Sequence, residues 1–301
     1  MVKDDKEKRC RDAEAALHAG RPTHAAALYE ALAEDYPGDE SFLMSLAWAY
    51  RDAGRHEKGF DVLLTLLERE LEREVFTGFA FDELVRILRE EGRTARLVEV
   101  CERVVSVHPG DPSLKRTLGE AYLTQGNGAG AVAVFRELAT DDADDASLHC
   151  RLGQALLMTD NDEAAARSFE TALDLDPEHS SSVFAAWIDS LSRRNRTAEA
   201  REVVKRALDT DGDASLWLAE LGDLYLKEHA VDDAIDAYER AISCAPSSRG
   251  AFYSRLARSL LEKGDAEQAL EFSERACKAE PANVFYREMF RVCLRKRGDK
   301  P

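Results

Sequence analysis

Residues 215–248 read SLWLAELGDLYLKEHAVDDAIDAYERAISCAPSS, and the spacing of their apolar and small residues decides the fold. In the first half Leu218, Leu221, Gly222 and Tyr225 recur at i, i+3, i+4 and i+7. In the second half Ala234, Ala237, Tyr238 and Ala241 repeat the same spacing. That is the period of an amphipathic helix with one face turned inward. Between the halves His229 stands at the break, and Pro246 cannot continue the second helix. The segment therefore predicts two antiparallel helices joined by a tight turn. Neither helix can bury its apolar face within one such pair.

Five prolines punctuate the chain in the same way. Pro37, Pro109, Pro177, Pro246 and Pro281 are spaced by 72, 68, 69 and 35 residues, one or two copies of a unit of about 34. Eight units follow: 6–39, 40–73, 78–111, 112–145, 146–179, 181–214, 215–248 and 250–283. Their columns agree. Position 8 reads Ala13, Ala47, Val85, Gly119, Gly153, Ile188, Gly222 and Ala257. Position 20 reads Ala25, Gly59, Leu97, Ala131, Ala165, Ala200, Ala234 and Ala269. Small residues in both columns let two helix backbones approach closely. Position 15, the expected turn, carries Gly20, Gly54, Gly92, Gly126, Asp160, Asn195, His229 and Gly264. Units that cannot close their own cores must stack, and the expectation is a single solenoid domain over residues 1–301.

The run Leu221-Gly222-x-x-Tyr225, then Ala234, Tyr238, Ala241 and Pro246, resembles the tetratricopeptide repeat. The unit at 146–179 matches through Leu152, Gly153, Leu156, Ala165, Phe169, Ala172 and Pro177. The resemblance implies an all-α, right-handed superhelical solenoid of antiparallel helix pairs. Units 40–73, 78–111 and 181–214 depart most from the pattern. At the start, the charged helix from about Lys6 reads as a polar cap. At the end, 284–297 reads as a capping helix with Phe285, Met289, Val292 and Cys293 turned inward. Tyr286, Phe290 and Leu294 form a second apolar line on it, either a broad cap interface or a docking face. A four-residue insert, 74–77, extends the second helix of unit two, and Phe76, Phe79 and Phe81 follow as core packing or as an exposed anchor.

Composition narrows the functional classes. The chain has 301 residues, 45% of them hydrophobic, and a net charge of −17. That much acid repels phosphate backbones and anionic lipid, so no nucleic-acid partner is expected. No apolar run approaches the ~18 residues that span a bilayer, and no membrane insertion is expected. Six dispersed cysteines offer no Cys-x-x-Cys and read as small core residues in a reducing compartment, hence a cytoplasmic location. No nucleophile elbow, His-Glu-x-x-His, P-loop or calcium loop occurs, and Gly126-Asn-Gly-Ala-Gly130 reads as a loose turn. The chain is expected to be non-catalytic, with no cofactor and no metal.

What remains is a protein or peptide partner. The resemblance implies a concave groove lined by the first helices at about positions 2, 5, 6, 9, 12 and 13. Those columns hold Arg86, Arg89, Arg116, Glu120, Arg151, Gln154, Asp189, Glu220, Asp223, Arg255 and Arg258. They suggest basic, acidic and basic bands, unless the charges pair with one another as Arg116 and Glu120 could at i, i+4. No three successive units carry the Lys/Asn set with which chaperone-binding members clamp a terminal carboxylate. The expected role is a scaffold or adaptor holding a partner segment. The alternatives are a peptide- or ligand-sensing regulatory subunit, or a repeat domain associated with an enzyme such as a glycosyltransferase.

Overall fold

A computed structural model describes residues 2–73, 76–210 and 212–298. Among them every regular element is a helix, and the helices fall in consecutive pairs. Repeats one to four contribute α1 (Val2–His18) with α2 (Pro22–Asp35), α3 (Ser41–Asp52) with α4 (His56–Glu72), α5 (Phe79–Glu90) with α6 (Thr94–Val107), and α7 (Pro112–Gln125) with α8 (Gly128–Asp141). Repeats five to eight contribute α9 (Ala146–Met158) with α10 (Asp162–Leu175), α11 (Ser180–Arg193) with α12 (Thr197–Thr210), α13 (Ala214–Lys227) with α14 (Val231–Cys244), and α15 (Arg249–Glu262) with α16 (Ala266–Ala279). The last helix, α17 (Val284–Arg297), has no second helix among the described residues. The fold is an all-α repeat array. It divides into two compact units, one ending at Val134 and the other beginning at Phe135.

Local chemistry accounts for each boundary. All eight residues of the turn column have positive φ, including Asp160 at 56°, Asn195 at 59° and His229 at 62°. Glycine adopts that conformation freely, whereas a Cβ makes it costly, and the five glycines of the column are where that cost is absent. At the other end of the pair, the residue before each of the five repeat prolines leaves the helix. Tyr36, His108, Asp176, Ala245 and Glu280 have φ between −139° and −120° and ψ between 63° and 81°. A following proline bars the α conformation there. Several helices start on side-chain caps: Asp111, Asp145, Asp213, Asp265 and Asn283 each accept a hydrogen bond from a first-turn backbone N–H.

In the first unit one core gathers Ala13, Tyr29, Leu32, Phe42 and Tyr50. A second gathers Leu66, Leu84, Leu88, Leu97, Cys101, Val104 and Leu118. Burial of Cys101 pushes its thiol up to about 12, so this cysteine packs and does not ionise. In the second unit the Phe169 and Trp187 rings stack at 4.9 Å. Leu218, Tyr238, Leu256, Leu260 and Phe272 continue inward, ending on Cys293 of α17.

Three details differ from the sequence expectation or refine it. The first helix begins at Val2, a full turn before Lys6, and Lys6 and Arg9 reach Asp39 and Asp35 at 2.7 and 2.6 Å. On α17 the inward face is Tyr286, Met289, Phe290, Cys293 and Leu294, while Phe285 is 50% exposed. Tyr286 takes the inward place because Gly250 on α15 leaves room for its ring. At the joint after α4, which runs to seventeen residues, Glu74 and Val75 lie outside the described residues. Phe81 is buried, Phe76 is half-buried between Phe81 and His108, and Phe79 alone is exposed. The three phenylalanines therefore serve mainly to pack an irregular joint.

Candidate functional site

In the first unit the first helices of repeats two, three and four carry a continuous line of side chains. Helix α3 turns Phe42, Leu43, Leu46, Ala47 and Tyr50 inward, which leaves Trp48 on the far side with 38% of its surface exposed. The Arg51 guanidinium lies 5.6 Å from the centre of the Trp48 ring, close enough for cation–π attraction. Arg51 also reaches Glu83 of α5 at 3.5 Å. Glu83 accepts from Arg86 at 2.7 Å, and Arg86 bonds Glu90 one turn further at 2.7 Å. Arg89 then crosses to Glu120 of α7 at 3.1 Å. Hydrogen bonds from Arg86 to Glu83 and Glu90 hold its guanidinium firmly charged. Arg116, one turn before Glu120, is also engaged.

The second unit has its own line. Arg151 donates to Gln154 at 3.0 Å on α9. Asp189 pairs with Arg193 at 2.9 Å along α11. Arg255 of α15 reaches across to α13, donating to Glu220 at 2.6 Å and through Nε to Asp223 at 2.8 Å. Asp223 also accepts from the Tyr238 hydroxyl. Burial, followed by the nearby Asp223 carboxylate, pushes the Tyr238 phenol well above its ordinary range, so it remains a donor. Arg258 does not join this group and lies 5.3 Å from the centre of the Phe285 ring.

The expected residues are thus present on the first helices, but most are used within the array. The structure brings Arg89 to Glu120, Arg151 to Gln154, and Arg255 to Glu220 and Asp223. Arg86 and Asp189 bond residues of their own helices instead. The charge bands are interlocked pairs, which are worth little each on an exposed surface.

Trp48 is the surface residue that the charge pattern missed. Its signal was the position-9 column, where the other units carry Glu, Arg, Gln or Asp and unit two carries tryptophan. Among the described residues no group of three or more His, Cys, Asp or Glu could hold a metal ion. No described helix is long and apolar enough to cross a membrane.

Comparison with known proteins agrees with this architecture. A tetratricopeptide repeat protein from Parabacteroides merdae ATCC 43184 superposes with a TM-score of 0.52 at 14% identity, over 85% of this chain and 98% of that one. MamA from Desulfovibrio magneticus RS-1 matches 58% of this chain and 97% of its own at 19% identity, with a TM-score of 0.41. The first of these likenesses bears on fold alone. No curated protein matches the chain. Profiles described as tetratricopeptide repeat match residues 10–70, 84–146, 116–180, 186–249 and 251–283. The chain belongs to the tetratricopeptide repeat family.

Proposed function

We propose that this array is a non-catalytic scaffold that holds an extended segment of a partner protein along its first helices. The family supplies the general role, protein interaction. The observation that supports the particular surface is Trp48, a large ring left 38% exposed beside Arg51 on a first helix. Tryptophan and arginine are enriched where binding energy concentrates. The ladder from Arg51 to Glu120 holds the neighbouring side chains in place, so a bound segment need not order them. The partner side chain that meets Trp48 is apolar or aromatic, and acidic residues beside it compete for Arg86 and Arg89.

Affinity capture with the wild-type chain, followed by calorimetric titration of the captured partner, tests this reading. Trp48→Ala should weaken binding by about 2 kcal/mol or more, with the helical spectrum unchanged. A second-helix control such as Arg167→Ala, at an exposed position of α10, should change it by no more than about 0.5 kcal/mol. Equal affinity for all three proteins would remove the first-helix face of the first unit as the site.

A further inference from the structure

The second unit carries a cleft that the interlocked pairs do not fill. It lies between α11 and α13, the first helices of adjacent repeats, and has a volume of about 290 Å³. Ligand pockets for whole small molecules begin at about 300 Å³, so this one suits a side chain and its flanking backbone. Its exposed apolar lining is Ala185 and Leu216, with Ile188 and Trp217 buried in its wall. Asp189 and Glu220 also line the cleft. Glu220 and Asp223 share one guanidinium, Arg255, so that group keeps a net negative charge. Asp189 pairs with Arg193, 52% and 78% accessible, where solvent screens the attraction. Lys227 lines the opposite end, two turns along α13 from Glu220.

An apolar lining beside two acidic residues fits one kind of group, a long apolar stem ending in a cation. We propose that the α11–α13 cleft receives a lysine or arginine side chain from a basic segment of a partner polypeptide. The stem lies along Ala185 and Leu216, and the charged head bonds Asp189 and Glu220. This rests on the reading of first-helix faces as partner surfaces, but it concerns the unit that Trp48 is not in.

The test uses the full chain and two blocked hexapeptides, acetyl-(Leu-Arg)₃-amide and acetyl-(Leu-Glu)₃-amide, followed by calorimetry and tryptophan emission. The basic peptide should bind and shift the emission, and the acidic one should not. Asp189→Lys should weaken the basic peptide at least ten-fold. Lys227→Glu should strengthen it several-fold, a gain that no unfolded variant would produce. Asp232→Lys makes the same change in net charge on α14, away from the cleft, and should leave the affinity within two-fold. Absence of binding to wild type, equal binding of both peptides, or equal losses in Asp189→Lys and Asp232→Lys would each overturn the proposal. Any of these results leaves the Trp48 titration to stand or fall separately.

Discussion

A Cβ on Gly153 would stand 2.9 Å from two ring atoms of Phe169, and one on Gly222 would come nearer still to the Tyr238 ring. Both glycines occupy position 8 and both rings position 24, so the two columns exchange volume. Where position 8 is bulky, position 24 shrinks: Val85 goes with Cys101 and Ile188 with Val204, all buried. Units three and six therefore depart from the repeat pattern in both columns at once. The departure was legible in sequence, but its compensation was not, because it needs the contact between columns. Gly153→Ile alone should cost about 1–3 kcal/mol by overpacking, and Phe169→Val alone should cost a similar amount through the cavity left behind. The double variant, which copies the pair of unit six, should be more stable than the sum of the singles by at least about 0.5 kcal/mol. Chemical denaturation measures this, and strict additivity would sink the exchange. Glu70 is the other residue with a clear expectation. It is 3% exposed, one oxygen accepts from Thr77 Oγ1, and the other has no partner among the described residues. Burial raises its pKa, so the neutral form is the better one in the folded chain. The stability that protonation confers is complete in acid and is lost as pH rises through the folded-state value. Glu70→Gln should therefore stabilise the protein by about 1 kcal/mol at pH 7, with the gain shrinking in melts taken towards pH 4. A gain that is constant with pH would mean that the carboxylate is not the cause.

Helix α17 shows what a single element does for the helix pair before it. It places Tyr286 against Gly250 and lays Met289, Phe290, Cys293 and Leu294 over Leu256, Leu260 and Phe272. Asn283 starts it with a side-chain cap, and Gly298 ends it at φ 93°. Its final turn carries Arg295, Lys296 and Arg297, where the carbonyl end of a helix favours positive charge. The helix itself was legible from its period. Which residues face inward was not fully so: Phe285 and Tyr286 are adjacent, and the choice between them depends on the space at Gly250. Deleting residues 284–301 should uncover the apolar face of α15 and α16 and yield multimers or aggregates. Light scattering that shows an unchanged monomer would mean that α17 is not the cap. The ladders on the first helices mark the opposite limit of sequence reading. The residue types were visible, but a long arginine reaches a partner on its own helix or on the next, as Arg86 and Arg89 respectively do.

Across the whole chain, a period of about 34 residues made the fold readable before any contact was known. Proline and turn columns recur even where cores vary. The proposed interaction surface was far less readable, because the charges expected on it are mostly satisfied inside the array and the exposed Trp48 is a single residue. The same repetition governs stability. In a repeat array each pair gains its stability from itself and its immediate neighbours, so damage should stay near its origin. Leu84 of α5 is fully buried in the core that runs from Leu43 to Ala121. Leu84→Ala should cost about 2–5 kcal/mol, the usual range for a buried leucine with a cavity left behind. Native-state hydrogen exchange should then show protection falling in α3 to α7, while amides of α13 to α16 keep theirs. Their core is assembled from Leu218 to Cys293 and contains no residue of the damaged one. Were protection to fall equally in α13 to α16, the array would unfold as one cooperative body and the nearest-neighbour account would fail. Localised loss would instead mean that a bound segment need stabilise only the repeats it touches, leaving the remaining helix pairs near their unbound stability.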